Sequence, residues 1–267
     1  MSDAAHDDFD AAPGDVLLTG VRVLVTGASS GIGAATARLL GRLGAHVVVH
    51  HRSGVDEAKQ IVEAIRADAG RADAIAADLS RWPDAVRAVD DALDAMGGLD
   101  ALVCNHGVWK PAPIAAMTEA QYDETFDANL RGIFALTGAA TRAFARAKTG
   151  GSIVLVASTA AQRGEARYSH YAASKGAIVS LTKSLAVELA PSHVRVNCVA
   201  PGWVHTRMTA GALSDAHLAA QIHASIPAGR VGRPAEIAWA IAFLLGDACP
   251  FATGEVLNVN GGAVLCG

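Results

Sequence analysis

Residues 21 to 44 narrow the possible folds more than any other stretch. Val21 to Thr26 (VRVLVT) is a short β-branched run that reads as a fully buried strand. It leads directly into Gly27-Ala28-Ser29-Ser30-Gly31-Ile32-Gly33. Ile32, Thr36, Leu39, Leu40 and Leu43 then recur at helical spacing until Gly44 closes the helix. A strand, a glycine turn and a helix in that order offer free backbone N–H groups and the positive end of the helix dipole. The glycines let the backbone approach a pyrophosphate, so Gly27, Ser29, Ser30, Gly31, Ile32 and Gly33 are candidate cofactor-binding residues. A tight turn without a ligand uses the same residue types, but the flanking strand and helix favour the nucleotide.

The pattern continues along the chain. Ala45 to His51 is a second strand, Val55 to Ala69 a helix, Asp73 to Ala77 a strand, and Pro83 to Met96 a helix closed by Gly97-Gly98. Leu99 to Cys104 is the fourth strand, followed by Asn105-His106-Gly107. Thr118-Glu119-Ala120-Gln121 has capping-box spacing and opens a long helical stretch that contains Asn129. Ser152 to Ala157, Val194 to Val199 and Glu255 to Asn260 are further strands, and Pro234 to Leu245 is a helix. Thr206 to Ser225 reads as a mobile helical flap. The alternation predicts an α/β fold, a doubly wound parallel sheet with helices on both faces. With no break in composition after residue 20, residues 18–267 are expected to form one domain behind a loose tail over 1–17.

Size permits this, since 267 residues suffice for one large core. A formal net charge of -4 argues against nucleic acid or an anionic membrane as partner. No apolar run approaches the ~20 residues of a membrane span. The start lacks the basic and apolar regions of a signal peptide, so a cytoplasmic location is expected. Cys104, Cys198, Cys249 and Cys266 form no C-x-x-C pair and read as reduced thiols. His50 and His51 are neighbours in a strand and point to opposite faces, which is poor geometry for a metal, and no metal site is expected.

Two further places carry chemistry. Tyr171 and Lys175 lie one helical turn apart on one face, with Ile178, Leu185 and Leu189 continuing the stripe until Pro191. An ammonium beside a phenol favours the phenolate, so the Tyr171 pKa is expected to fall from ~10 toward the working pH. Such a phenol can pass a proton to or from a substrate oxygen. An amphipathic helix whose Tyr and Lys merely reach the surface would show the same spacing. The second place is the end of the second strand, His51-Arg52-Ser53. An acidic residue there would bind the ribose 2'-hydroxyl of NAD, whereas a cation accepts the 2'-phosphate of NADP. Arg52 and Ser53 therefore favour NADP(H), with NAD(H) possible. Asp78, beside Leu79, ends the third strand, where it either meets the adenine amino group or caps the local turn.

Taken together, Thr26-Gly27-Ala28-Ser29-Ser30-Gly31-Ile32-Gly33, Asn105-x-Gly107, Asn129, Ser158, Tyr171-x-x-x-Lys175 and Pro201-Gly202 resemble the short-chain dehydrogenase/reductase family. The likeness runs from about Leu18 to Gly262 and implies a Rossmann-type sheet of about seven strands with a nicotinamide cofactor. It implies that Tyr171 is the general acid in reduction and the general base in oxidation. Lys175 would lower its pKa and hold the nicotinamide ribose, and Ser158 would bind the substrate carbonyl. Asn129 would kink its helix and hold a water leading from Lys175 to solvent. Asn105 would brace the sheet, while Val204 and Thr206, after Pro201-Gly202, would face the carboxamide. The chain departs from the family at Cys104, where an Asn is usual, at His106, where an Ala is usual, and at Asn260, where an Asp is frequent.

Within the family the chain is most similar to 3-oxoacyl-acyl-carrier-protein reductases and to glucose or polyol dehydrogenases. The expected reaction is interconversion of a carbonyl and a secondary alcohol, with a 3-oxoacyl thioester as first substrate and a sugar or polyol as alternative. From a different class, a non-catalytic NADP(H)-binding sensor would use the same fold. Substrate contacts are expected from Trp109, the 160–170 loop, Trp203 and the flap, and Arg142, Arg146 and Lys148 are candidates to meet an acidic carrier protein. The resemblance also implies a homotetramer, with the Asn129 and Tyr171 helices across a twofold axis and the last strand at a second contact.

Overall fold

A computed structural model describes residues 18–266, and the tail expected over 1–17 lies outside the described residues. Seven strands form one sheet: β1 (Arg22–Val25), β2 (His46–His51), β3 (Arg71–Ala76), β4 (Ala101–Cys104), β5 (Gly151–Val156), β6 (Val194–Pro201) and β7 (Val256–Val259). Their spatial order is β3-β2-β1-β4-β5-β6-β7 and every pairing is parallel. The chain winds outward from β1 to β3, then crosses back to place β4 on the other side of β1. A parallel sheet reversed in this way opens a crevice between β1 and β4 at its carboxyl edge.

The apolar runs are explained by burial on both faces. Val23, Val25, Val47, Val49, Val103 and Val154 point to one side. There they meet α1 (Gly31–Arg42), α2 (Val55–Ala67) and α10 (Pro234–Leu245). Leu24, Val48, Leu102, Ile153 and Leu155 point to the other, against α3 (Trp82–Met96), α5 (Gly132–Ala147) and α7 (Ser169–Leu189). Successive residues of one strand thus feed two cores, which is why the strands lack a polar face. At the opposite edge of the sheet, Arg22 donates from Nε and Nη2 to the Asp100 carboxylate at 2.8 Å each, fixing β1 beside β4. The Arg22 guanidinium holds that carboxyl below its ordinary range.

The long helix expected after Thr118 is divided. The capping box is present, with Gln121 N–H donating to Thr118 Oγ1 and the Gln121 amide oxygen accepting from Thr118 N–H. It opens α4 (Glu119–Phe126). A wider π turn over Asp127–Arg131 then separates α4 from α5, and Asn129 sits in it. The 160–170 loop contains a short helix, α6 (Ala160–Arg163). The flap is two short helices, α8 (Ala210–Ser214) and α9 (Ala216–Ala224), because Asp215 between them accepts from His217 N–H and Leu218 N–H and starts a new N-terminus.

Candidate active site

A cavity of about 510 Å³ lies at the carboxyl edge of the sheet, within the usual range for a small-molecule or cofactor site of ~300–1,000 Å³. The glycine turn forms one wall. Gly27 and Gly31 have φ of +61° and +56°, which L side chains rarely adopt. Gly33 is required for another reason: a Cβ there would run into the Gly27 carbonyl oxygen and the Asn105 side chain. At the start of α1, Ser30 makes no side-chain cap and the first turn holds no acidic residue. The first N–H groups of α1 therefore face the cavity without a competing anion, which fits a pyrophosphate.

A buried polar network holds this turn, and only part of it was expected. Asn105 donates from Nδ2 to the carbonyl oxygens of Thr26 and Gly27, both at 3.2 Å, tying β4 to the turn. His50 was considered only as a metal ligand. Its Nδ1 accepts from Gly27 N–H at 3.1 Å and its Nε2–H donates to the Ala77 carbonyl, so it supports the first glycine as a neutral ring. Burial pushes its pKa down to about 4. Among the described residues no cluster of His, Cys, Asp or Glu is suited to hold a metal ion. His106, the residue out of pattern, takes the space beside Thr26. Thr26 Oγ1 accepts from Asn105 N–H at 3.0 Å and lies 2.8 Å from His106 Nδ1 and 3.2 Å from the Val103 carbonyl oxygen, so the imidazole and the hydroxyl share one hydrogen-bond network. Nε2 is buried without a partner, and burial pushes the pKa to about 3.

The other wall comes from β5 and α7. Tyr171 and Lys175 are both buried on the face of α7 that meets the sheet. Lys175 Nζ donates to the Val156 carbonyl oxygen at 2.8 Å. Ser158, two residues beyond β5, lies close enough to the Tyr171 phenol to draw its pKa down, and its Oγ accepts from Ala160 N–H at 3.1 Å. Asn129 is fully engaged: Oδ1 accepts from Val108 N–H at 2.7 Å, and Nδ2 donates to Val108 O at 3.0 Å and Ser174 Oγ at 3.2 Å. Gly107 fits between Asn129 and Lys175, where a Cβ would stand 3.0 Å from Asn129 Oδ1 and 3.6 Å from Lys175 Nζ.

The expected direction of the tyrosine shift is wrong. Burial pushes the Tyr171 phenol up to about 12, the Ser158 hydroxyl draws it partly back, and the Glu165 carboxylate raises it further. Lys175 is itself pushed down to about 8 by burial. The ammonium's charge favours the phenolate, but the desolvation of both groups outweighs it, and Lys175 Nζ donates a hydrogen bond to the Val156 carbonyl.

The remaining candidates are distributed as follows. Arg52, Ser53, Asp78, Leu79, Asn105, Gly107, Pro201, Gly202, Val204 and Thr206 all line the cavity. Asp78 caps its turn, with its Oδ1 accepting from Ser80 Oγ at 2.7 Å and Ser80 N–H at 3.1 Å. That side-chain bond is the main reason its carboxyl is held low. Glu57, which the sequence reading passed over, also lines the cavity, paired to Arg207 at 3.0 Å. Trp109, Trp203, Arg163 and Glu165 line it as well. Arg142, Arg146 and Lys148 do not approach it. Lys148 ends α5 just before β5 begins at Gly151, at the opposite edge of the sheet. The strand's length separates that edge from Ser158, roughly 20 Å at ~3.3 Å per residue.

The two buried histidines predict acid lability. Their folded pKa values of about 4 and about 3 lie below the ordinary ~6.5, so below that pH the unfolded chain binds protons that the folded chain refuses. Stability should fall as pH drops from ~6.5 toward ~4, and His106→Ala should remove about one proton, or ~1.4 kcal/mol per pH unit, from that slope. Urea unfolding at pH 6.5, 5.5 and 4.5 checks this; an unaltered slope in the variant contradicts a neutral, buried His106.

Comparison with known proteins agrees with this architecture. A family model described as enoyl-(acyl carrier protein) reductase matches residues 27–264. The cis-4-hydroxycyclohexanecarboxylate dehydrogenase of Sinomonas cyclohexanicum is 40% identical over 241 residues, 90% of this chain and 94% of the relative. The 3-oxoacyl-acyl-carrier-protein reductase of Vibrio cholerae is 39% identical over 246 residues, 92% of this chain and 98% of the relative. A short-chain dehydrogenase of Burkholderia cenocepacia, crystallised with NADP, superposes with a TM-score of 0.86 at 36% identity, covering 92% of this chain and 98% of that one. The seven-stranded parallel sheet, the glycine turn over an open helix end, and these matches across nearly the whole described length agree, and the chain belongs to the short-chain dehydrogenase/reductase family of alcohol–carbonyl oxidoreductases.

Proposed function

We propose that residues 18–267 act as one NADP(H)-dependent oxidoreductase unit that interconverts a secondary alcohol and a carbonyl, with Tyr171 as proton donor and acceptor. The observation that carries this reading is the meeting of Tyr171, Ser158 and buried Lys175 on one cavity with an uncapped helix N-terminus. Gly27, Gly31 and the cavity they line would hold a nicotinamide cofactor, which would supply the hydride chemistry that none of this chain's side chains offers. This chain's residues do the rest. Tyr171, a protonated phenol at neutral pH, gives its proton to the carbonyl oxygen during reduction; in oxidation it first loses that proton along the route that starts at Lys175 and, as phenolate, takes the hydroxyl proton. Ser158 donates to the same oxygen as negative charge develops there. Lys175 holds the ribose hydroxyls and, beside Gly107 and Asn129, begins the route by which the phenol regains its proton.

The glycine turn and the α1 N-terminus hold the pyrophosphate. Arg52 and Ser53 take the 2'-phosphate, and the Arg52 charge, already felt at Asp78, supports NADP(H) over NAD(H). Pro201, Gly202, Val204 and Thr206 face the nicotinamide, and residues 206–225 are the segment we assign to closure over the substrate. A 3-oxoacyl thioester and a sugar or polyol both present the group this relay needs. A carrier-bound substrate draws no support from Arg142, Arg146 and Lys148, which lie at the far edge, so a free small molecule is favoured.

We also propose a homotetramer in the cytoplasm. Exposed apolar residues support the assembly. Phe134, on α5, is 44% exposed, Val187, on α7 beyond the small outward residues Ala173, Ser180 and Ser184, is 80% exposed, and Phe251, before β7, is 99% exposed. Four free cysteines, two of them buried, suit a reducing compartment. Light scattering at the mass of four subunits is expected, and a monomer would overturn the assembly.

Tyr171→Phe should lower kcat at least ~100-fold, within the range for one acid–base group, with NADPH affinity nearly unchanged. Firm NADPH binding without turnover of any ketone, sugar or thioester by the unmodified protein would favour the sensor instead. Arg52→Ala should raise the Kd for NADPH at least ~10-fold while that for NADH changes little; equal effects on the two would remove the phosphate contact.

A further inference from the structure

The substrate wall is built more definitely than a loop of polar residues requires. Trp109 is held on three sides. Its ring stacks on Tyr168 at 4.5 Å and 6°, Trp203 meets it edge-on at 5.7 Å and 89°, and its Nε1–H donates to Glu165 Oε2 at 3.3 Å. Its backbone neighbour Val108 is gripped at both N–H and C=O by the Asn129 amide. The loop that carries Glu165 is tied to the Trp109 loop by Ala112 N–H donating to the Arg167 carbonyl at 2.8 Å. Trp109 and Glu165 line the same cavity as Tyr171 and Ser158, and the Glu165 charge is felt at the Tyr171 phenol. A fixed aromatic plate and a fixed carboxylate thus stand beside the reacting centre before any substrate arrives, which lowers the ordering cost of binding.

That pair suits one substrate chemistry. Tyr168 takes one face of the Trp109 indole, and the part of the ring that lines the cavity is an apolar wall beside which a substrate ring packs. The carboxylate uses one oxygen on Trp109 and offers the other to a donor. Burial pushes the Glu165 carboxyl upward, and the Trp109 N–H and Arg163 only partly offset it, so a ligand that desolvates it further without supplying a donor is penalised. An acyl chain brings no donor to that point. An amine would bring a second cation to a carboxylate that the Arg163 charge already reaches. A ring hydroxyl brings a neutral donor at the right scale.

Resting on the reaction proposed above, we infer that the substrate is a cyclic, hydroxylated alcohol or ketone, a sugar or hydroxylated carbocycle, whose ring packs beside Trp109 and whose second hydroxyl donates to Glu165. Trp109 and Glu165 are then specificity-determining residues, and Tyr171 is indifferent to the second hydroxyl.

Cyclohexanol, the cyclohexanediols and a set of aldohexoses are compared as substrates with NADP, alongside a 3-oxoacyl N-acetylcysteamine thioester with NADPH. The account expects at least one diol or aldose to exceed cyclohexanol in kcat/KM by ~100-fold or more, as sites built for a substrate hydroxyl reject its absence. In Glu165→Ala and Glu165→Gln that ratio should fall at least ~10-fold, mostly through KM. Trp109→Leu should raise KM for the same ring. Titration calorimetry of that diol or aldose onto the NADP-loaded protein should show the same loss of binding in both Glu165 variants. A ratio near one, or a ratio unchanged in both Glu165 variants, overturns the inference, as does a clear preference for the thioester or for aminocyclohexanol. None of those results touches the proton relay, which fails only if Tyr171→Phe keeps its turnover on whichever substrate is used.

Discussion

The site depends on a lysine held where water does not reach. Lys175 is buried at the carboxyl edge of the sheet, and its Nζ donates a 2.8 Å hydrogen bond to the Val156 carbonyl at the end of β5. An ammonium in such a place loses hydration that one carbonyl does not fully replace, which is why its pKa drops toward neutrality. The fold supplies the place. Parallel strands covered on both faces expose their polar ends only at the edges, and α7 packs on one face with its beginning at the carboxyl edge, Tyr171 and Lys175 on its inner side. Ser158 follows from the same strand end, so the three groups are set by one junction between β5 and α7.

The glycine turn is organised in the same manner from the other side of the crevice. Three backbone constraints meet there: left-handed glycines, a Cβ-free contact at Gly33, and an uncapped helix end. The side chains that stabilise them come from the neighbouring strands, Asn105 from the end of β4 and His50 from β2. His106 replaces the usual small residue, and its ring is accommodated by Thr26 and by the missing side chain at Gly132, whose Cβ would stand 3.1 Å from Nε2. The departure from the family pattern is therefore absorbed within the network and leaves Gly107 free to sit against Asn129 and Lys175.

Much of this was legible in the sequence because periodicity records burial. Apolar runs of four to six residues marked strands buried on both faces, and β2 and α10 were read to within a residue at each end. Thr118 and Gln121 announced their cap, and Tyr171 and Lys175 their shared face. Other features leave no periodic trace. The π turn at Asn129 depends on a side chain pulled toward Val108 and Ser174, contacts distant in sequence. The role of His50 depends on Gly27 and Ala77 meeting it from two other strands' ends. The upward shift of Tyr171 is a desolvation effect, and desolvation is a property of the packed molecule. Glu165 is one polar residue among several in its loop by sequence, and its contact with the Trp109 indole is made only in the folded chain.

The central claim is that proton and hydride leave the substrate carbon and oxygen by separate routes, the proton to Tyr171 and the hydride directly to the nucleotide across the cavity. Oxidation of a secondary alcohol deuterated at its carbinol carbon, followed by NMR of the reduced nucleotide, tests it most directly. The account predicts one deuterium at C4 of the nicotinamide, on a single face, with none released to solvent. Deuterium lost to water, or spread over both faces of the ring, would contradict it.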